Sequence, residues 1–483
     1  MQLAVIQRIL GILLSVFSIT LLPPILIGFW FGDSGFIAFV YAFTGILVSG
    51  VLLWLPVRHI RRELRLRDGF VVVVLFWTVL GLTGAVPLAL SDVPHLSFTD
   101  AVFESISGLT TTGATVIVGI DSLPPSILFY RQELQWLGGM GIIVLAVAIL
   151  PILGIGGMQL YRAETPGPLK DSKLTPRITE TAKALWYIYL TLTIACAFFY
   201  WLAGMTLFDA LCHSFSTVSI GGFSTHDASI GHYNNAGIEL IAVVFMLISG
   251  INFTLHFHAW RHGSLKPYRY DTEFKAYLYI LLVVFIVCSV YLVEQDFYED
   301  ISDAVLRSLF QTVSIATTTG FTTTAYQGWP SFLPVLLLFA SFVGACAGST
   351  GGGLKVIRVL LLYRQGIREI KRLIHPNAII PIKLNKKPVQ ERVINAVWGF
   401  FATYVATFTF LLLSLMATGL DQVTAFSALA ACMNNLGPGL GAVSAHYGDI
   451  SNAAKWILCV AMLLGRLEIF TLLVLISPAF WRK

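Results

Sequence analysis

The sequence predicts an all-α polytopic membrane protein. It has ten transmembrane helices and four re-entrant half-helices set pseudo-fourfold about a central axis. Three observations predict this. Of 483 residues, 56% are apolar and 12% charged, against about 25% charged in soluble domains. The apolar residues form continuous runs of about 20, the length that crosses a bilayer as a helix, and do not alternate as barrel strands do. One pattern, Asp followed by a short apolar stretch and a Thr/Ser/Gly run, occurs four times at intervals of about 110 residues. A soluble enzyme, a disordered chain, a coiled coil and a disulfide-stapled secreted module are all excluded by these values.

The spans run approximately over 9–30, 36–57, 69–90, 127–155, 181–204, 236–258, 274–294, 330–350, 394–418 and 452–478. The first follows Arg8, is too long for a signal-peptide core and has no small-residue cleavage site after it, so it reads as a retained helix. Loop charge sets the orientation. Arg58–Arg67, Arg162–Lys183, Arg261–Lys275 and Lys355–Arg392, with Arg8, Arg482 and Lys483, place every Lys and Arg but Arg131, Arg307, Lys455 and Arg466 on one side. That side is cytoplasmic by the positive-inside rule, so both termini are cytoplasmic. Because the basic residues lie at span ends, the net charge of +5 does not mark a nucleic-acid partner. The opposite loops carry Asp33, Asp92, Asp121, Asp227, Glu299 and Asp300, a mildly acidic face. Six cysteines (Cys196, Cys212, Cys288, Cys346, Cys432, Cys459) lie in apolar or near-apolar stretches without a CxxC pair and read as buried free thiols.

The four outward connections each start at an Asp (Asp100, Asp209, Asp303, Asp421) and reach an aligned glycine (Gly113, Gly222, Gly320, Gly437) after 13, 13, 17 and 16 residues. Asp is a favoured N-cap and suits the positive end of a helix dipole. Each unit therefore reads as span, half-helix, irregular strand, span. The strand residues that would line a central path are Thr111-Thr112-Gly113, Ile220-Gly221-Gly222, Thr318-Thr319-Gly320 and Asn435-Leu436-Gly437. A dehydrated monovalent cation must regain what its water shell supplied, and rings of backbone carbonyls can do so. Turning successive carbonyls to one side needs a backbone that glycine permits, and hydroxyls add further ligands. Half-helix C-termini aimed at the ion add their negative dipole ends. Four such units in one chain form a pore.

In these strands, and over its whole length, the chain resembles the Trk/Ktr/HKT superfamily of potassium transporters. The resemblance also rests on Gln135-Trp136-Leu137-Gly138-Gly139-Met140-Gly141 and on Gly348-Ser349-Thr350-Gly351-Gly352-Gly353-Leu354-Lys355. It implies four membrane–pore–membrane units behind two extra N-terminal helices, divided as 1–68, 69–160, 161–265, 266–375 and 376–483. It implies potassium as the substrate and the strand residues above as its filter. In that family glycine at all four aligned positions accompanies potassium preference, and serine at the first accompanies sodium. It further implies a bacterial inner membrane, a homodimer, and a cytosolic TrkA-like regulatory subunit responsive to NAD and ATP. No cofactor is expected in this chain, which has neither a dinucleotide fingerprint after a strand nor a Walker motif; Leu354, not Lys, follows Gly353.

Gly344–Lys355 interrupts the eighth span with small and hydroxyl residues. Gly348, Ser349, Thr350, Gly351, Gly352, Gly353 and Lys355 read as an intramembrane loop that obstructs the path and moves to gate it; a flexible helix end is the alternative. Arg466 and Glu468 stand midway along the last span, where charges are costly and face a cavity or a partner. Arg466 reads as projecting into the path below the strands, to repel cations or pair with the loop, or as part of a structural ion pair. Arg131 and Glu133 read as a surface or interfacial pair, and Arg307 as a structural hydrogen-bond donor. His256, His258 and His262 read as interfacial, not metal-binding, for want of a nearby carboxylate or cysteine. Basic segment 355–393 suits lipid headgroups or a cytosolic partner. A symporter coupling K⁺ to H⁺ or Na⁺ is the second functional reading, with Glu468 as its mid-membrane carboxylate.

Overall fold

In the computed structural model, residues 1–60, 65–139, 141, 178–385 and 387–482 are described. They are overwhelmingly helical. The only sheet among them is a two-residue antiparallel pair, Lys383–Leu384 with Lys387–Pro388. Among the described residues six helical stretches, Leu3–Phe31 counted as one, are long and apolar enough to cross a bilayer, and two bent pairs are so jointly. Many of their apolar side chains point outward: Phe29, Trp30, Ile194, Phe198, Leu282 and Phe410 are all exposed. On a membrane protein such a surface faces lipid.

The N-terminal helices are Leu3–Ile19, Leu22–Phe31 and Phe36–Trp54. The first expected span thus starts earlier and is interrupted at Thr20–Leu21, just before Pro23 and Pro24. The first and third of these helices cross through glycines. A Cβ on Gly11 would lie 2.7 Å from Trp54 N, and one on Gly50 would lie 2.8 Å from Ser15 N. Small residues at the crossing let the two backbones touch.

Four half-helices follow: Phe98–Leu109, Leu207–Ser219, Ile301–Ala316 and Gln422–Met433. The expectation that each starts at its Asp holds only for Asp421, whose carboxylate accepts from Thr424 N at 3.1 Å. In the first two, Ser97 and Thr206 are the caps. Their hydroxyls accept from Asp100 N and Asp209 N and donate to those same carboxylates at 2.7 Å. In the third, Asp300 is the cap residue and Asp303 lies in the first turn. A hydroxyl cap satisfies one orphan N–H, as Asp421 does, and the carboxylate behind it keeps a negative charge at the positive dipole end.

Each half-helix packs on the span before it and on the span that closes the preceding unit. Pro125–Gly139 packs on the second half-helix, Ala236–Ser249 on the third, Leu333–Val343 on the fourth and Asn452–Arg466 on the first. The last contact closes the ring.

Two expected spans are broken. Ala236–Ser249 and Phe253–His262 meet at 90°, and Asn452–Arg466 and Phe470–Ile476 at 115°. At the first break Asn252 starts the new helix by accepting from Thr254 N at 2.8 Å, while Gly250 weakens continuation. At the second, Glu468 and Ile469 both adopt positive φ, +54° and +53°. The eighth span is helical only over Leu333–Val343, and the chain resumes as Val356–Ile374. Of the fourth, Pro125–Gly139 is described as helix and the remainder of 127–155 lies outside the described residues. The six cysteines are free and buried, as expected.

Arg131 is not at a surface. It is 1% exposed and pairs with Glu104, itself 0% exposed, at 2.8 Å. Its guanidinium also donates to Ser224 O and Thr115 Oγ1, both at 3.2 Å, and lies over the Phe223 ring at 4.3 Å. Glu104 in turn accepts from Val116 N at 3.0 Å. Glu133 is buried as well and does not pair with Arg131. Arg307 is the structural donor expected, to Glu239 at 2.7 Å and Thr323 O at 3.4 Å. Lys455 completes the set, with Asp100 at 2.6 Å and Gly448 O at 2.8 Å.

Glu104→Gln leaves Arg131 buried without its counter-charge and is expected to destabilise the chain by about 3–5 kcal/mol. Thermal unfolding in detergent measures this. A variant that unfolds at the wild-type temperature would show that the seam does not depend on the pair.

Candidate functional site

All twelve strand residues selected from the sequence converge where the half-helices end. The four strands repeat one backbone. Thr111, Ile220, Thr318 and Asn435 have φ of +57°, +57°, +69° and +54°, and the aligned Gly113, Gly222, Gly320 and Gly437 have +80°, +82°, +82° and +99°. Between them, the amides of Thr112, Gly221, Thr319 and Leu436 each turn back to a half-helix carbonyl (Ser107, Ser216, Ser314, Ala431) at 2.7–2.8 Å. Alternating left-handed residues rotate successive peptide planes, so that carbonyls that would alternate in an extended strand can share a side.

The strands also touch in cyclic order. A Cβ on Gly113, Gly222, Gly320 or Gly437 would meet the carbonyl oxygen of Gly221, Thr319, Leu436 or Thr112, respectively, at 2.6 Å or less. Each glycine therefore abuts the next strand, and the fourth abuts the first. No other residue type fits without displacing backbone.

Buried side chains fix the strands from behind. Gln135, from the expected motif, donates to Gly221 O at 2.6 Å and accepts from Phe223 N at 3.0 Å. Tyr447 donates to Gly437 O at 2.7 Å. Thr110 with Thr112, and Thr317 with Thr319, form the same hydroxyl pair at 2.8 Å in units one and three. Asn435 replaces a threonine in unit four, where its Nδ2 donates to Thr112 Oγ1 at 3.0 Å and Met462 O at 3.1 Å.

The segment from Gly344 to Lys355 lies against the start of these strands. Gly352 N donates to Thr318 Oγ1 at 2.7 Å, Gly353 N to Asn434 O at 3.0 Å, and Thr350 Oγ1 to Val218 O at 3.0 Å. Gly348 O accepts from Phe253 N at 3.0 Å, which uses the break in the sixth span. Ser349 bonds locally to Cys346 O, and the Lys355 ammonium to Gly351 O. Arg466 reaches the same place. It donates to Thr350 O and Thr111 Oγ1 at 3.2 Å each and to Gly138 O and Gly139 O. Loop and arginine together contact units one to four. Glu468 is not beside Arg466 but pairs with Arg358, whose guanidinium lies over Phe400 at 4.3 Å.

The sequence reading missed Glu273. Its carboxylate is buried and accepts from Ala347 N at 2.7 Å and Ile357 N at 3.2 Å, holding both ends of the segment. The available signal was a glutamate in the first turn of an apolar span, which reads as a helix-dipole residue. His256 also departs from the interfacial expectation: it is bound to Tyr268 Oη at 2.7 Å and Ile248 O at 3.0 Å.

The family described as "TrkH: Cation transport protein" matches residues 36–483. The Trk system potassium uptake protein TrkH of Vibrio parahaemolyticus is 60% identical over 485 aligned positions, covering 100% of both chains. The protein of that name from Escherichia coli strain K12 is 55% identical over 483 positions, again covering 100% of both. The crystal structure of the potassium transporter TrkH from Vibrio parahaemolyticus superposes with a TM-score of 0.91 at 57% identity, covering 100% of both chains. The chain therefore belongs to the TrkH family of cation transport proteins and is a multi-pass membrane protein.

Proposed function

We propose that this chain takes up potassium across a bacterial inner membrane through its four glycine strands, gated by the segment from Gly344 to Lys355. The observation that carries the reading is the ring of four left-handed glycines, each against the next strand's carbonyl. That ring offers backbone oxygens at a fixed spacing in place of a hydration shell. The relatives are named potassium uptake proteins, a transport role and not an enzymatic one. Potassium is the substrate, and the chain needs no cofactor of its own. An inside-negative potential contributes about 2.3 kcal/mol per charge per 100 mV, enough for inward accumulation without a chemical step.

On this reading the path is obstructed on the cytoplasmic side of the strands. The loop backbone and the Arg466 guanidinium lie there, and a fixed cation repels a passing one. Opening requires the loop to leave Thr318, Asn434 and Arg466 together. The glycines permit the rearrangement, and Glu273 resists it through two hydrogen bonds to one carboxylate. The trigger is a soluble TrkA-like nucleotide-binding subunit docked on the basic cytoplasmic surface that includes 355–393, and the chain works as a homodimer with one path per protomer. Both termini are cytoplasmic.

The decisive measurement is ion flux through the purified chain in liposomes under a K⁺ gradient, with Na⁺, Rb⁺ and Cs⁺ compared and no co-ion gradient. K⁺ and Rb⁺ are expected to pass in preference to Na⁺; flux that requires an H⁺ or Na⁺ gradient would replace the channel-like reading with symport. Gly113→Ser forces a Cβ against Gly221 O and is expected to lower K⁺/Na⁺ discrimination by about tenfold, ~1.4 kcal/mol. Unchanged selectivity would remove Gly113 from the filter. Glu273→Ala, and more drastically shortening 348–353, is expected to raise flux in the absence of any partner, with Glu273→Gln intermediate. Basal flux equal to wild type in properly folded variants would mean that the loop does not gate.

A further inference from the structure

On the face opposite the basic loops, the segments that follow the first and second glycine strands meet at three side chains with no part in the function proposed above. Asp121 lies in the turn Ile120–Ser122, His226 in the loop after Gly222, and His232 in the turn Ser229–Tyr233. One ligand atom from each lies within 4.8 Å of the other two. His226 Nδ1 is 2.5 Å from Asp121 Oδ1, and the His226 and His232 rings are parallel with centroids 3.5 Å apart. We propose that Asp121, His226 and His232 form an outward-facing site for a divalent transition-metal ion of the Zn²⁺ class.

Two imidazoles and a carboxylate are the donor set of three-ligand zinc sites, with a fourth position left to water. The set is too nitrogen-rich for Mg²⁺ or Ca²⁺ and wrong for K⁺, so it is chemically separate from the transported ion. The surroundings match what metal-binding histidines need. The second ring nitrogen of His226, Nε2, has no hydrogen-bond partner and faces Asp209 Oδ1 at 3.8 Å, the place of an outer carboxylate that orients a ligating histidine. The backbone is held by a reciprocal lattice of bonds. Asp227 accepts from Gly119 N at 3.1 Å and Asp121 N at 3.4 Å, and Ser224 Oγ accepts from His226 N at 3.1 Å. Parallel rings aim their lone pairs side by side, so coordination needs one ring to turn. His232 is exposed and free to do so, while His226 stays held by its carboxylates. The ion then replaces the proton shared by His226 and Asp121. Because Asp121 belongs to unit one and the histidines to unit two, a bound ion ties two of the four outer segments together.

Co²⁺ titration of the purified full chain in detergent, above neutral pH, tests this by visible ligand-field absorption, with Zn²⁺ competing the signal away. One saturable Co²⁺ per chain is expected. His232→Ala, at an exposed position, should abolish the band while leaving thermal unfolding unchanged, and Asp209→Asn should weaken binding about 10–100-fold. The double variant His258→Ala/His262→Ala should bind as wild type. The absence of a saturable band, its persistence in His232→Ala, or its loss in the double variant would each overturn the proposal.

Discussion

Four glycines in left-handed backbone, each pressed against a carbonyl of the next strand, set the terms for the remaining structure. Strands of that kind do not bond to one another as a sheet does. Their amides must find partners elsewhere, and the half-helix ends supply them in all four units. In a membrane the surrounding lipid offers no hydrogen bonds, so irregular backbone persists only when encased in protein. The spans serve as that casing. Each second span backs the next unit's half-helix, and the cyclic packing follows from the need to leave no strand uncovered.

The four cations that break the positive-inside pattern are explained by the same need. Arg131, Arg307 and Lys455 each bond to a carboxylate and a backbone carbonyl where units meet, and Arg466 bonds to backbone carbonyls and a hydroxyl at the strands' inner end. A buried guanidinium has five donors and can bridge several elements at once. None of these residues is near its main partners in sequence. Arg131 and Glu104 are 27 residues apart, and Lys455 and Asp100 are 355 apart. They are the polar staples of a ring whose apolar faces cannot by themselves specify register.

Two kinds of order thus coexist. The strands are over-determined, held by their half-helices, by Gln135 and Tyr447 and by one another. The loop beneath them is held by polar bonds to Val218, Thr318, Asn434, Phe253, Glu273 and Arg466.

How much was legible follows from the range of the interactions. The membrane-spanning character and the four aligned glycines were readable because each depends on local composition or on a repeat within the chain: runs of about 20 apolar residues, and a glycine where φ must be positive. The breaks at Gly250–Asn252 and Leu467–Ile469 were not, since an apolar run reads as one helix until a partner rewards its interruption. Asp100 and Asp209 were given the cap that Ser97 and Thr206 hold and lie instead three residues on, in the first turn, a difference that only hydrogen-bond geometry decides. Arg131 read as peripheral because its neighbour Glu133 was the carboxylate in view; its true partner is a helix away. The sequence by itself determined what must cross the membrane and where the backbone must bend to the left. The tertiary structure decided which charges are paired, where helices stop and what holds the loop, because those depend on groups brought together only when the ring closes.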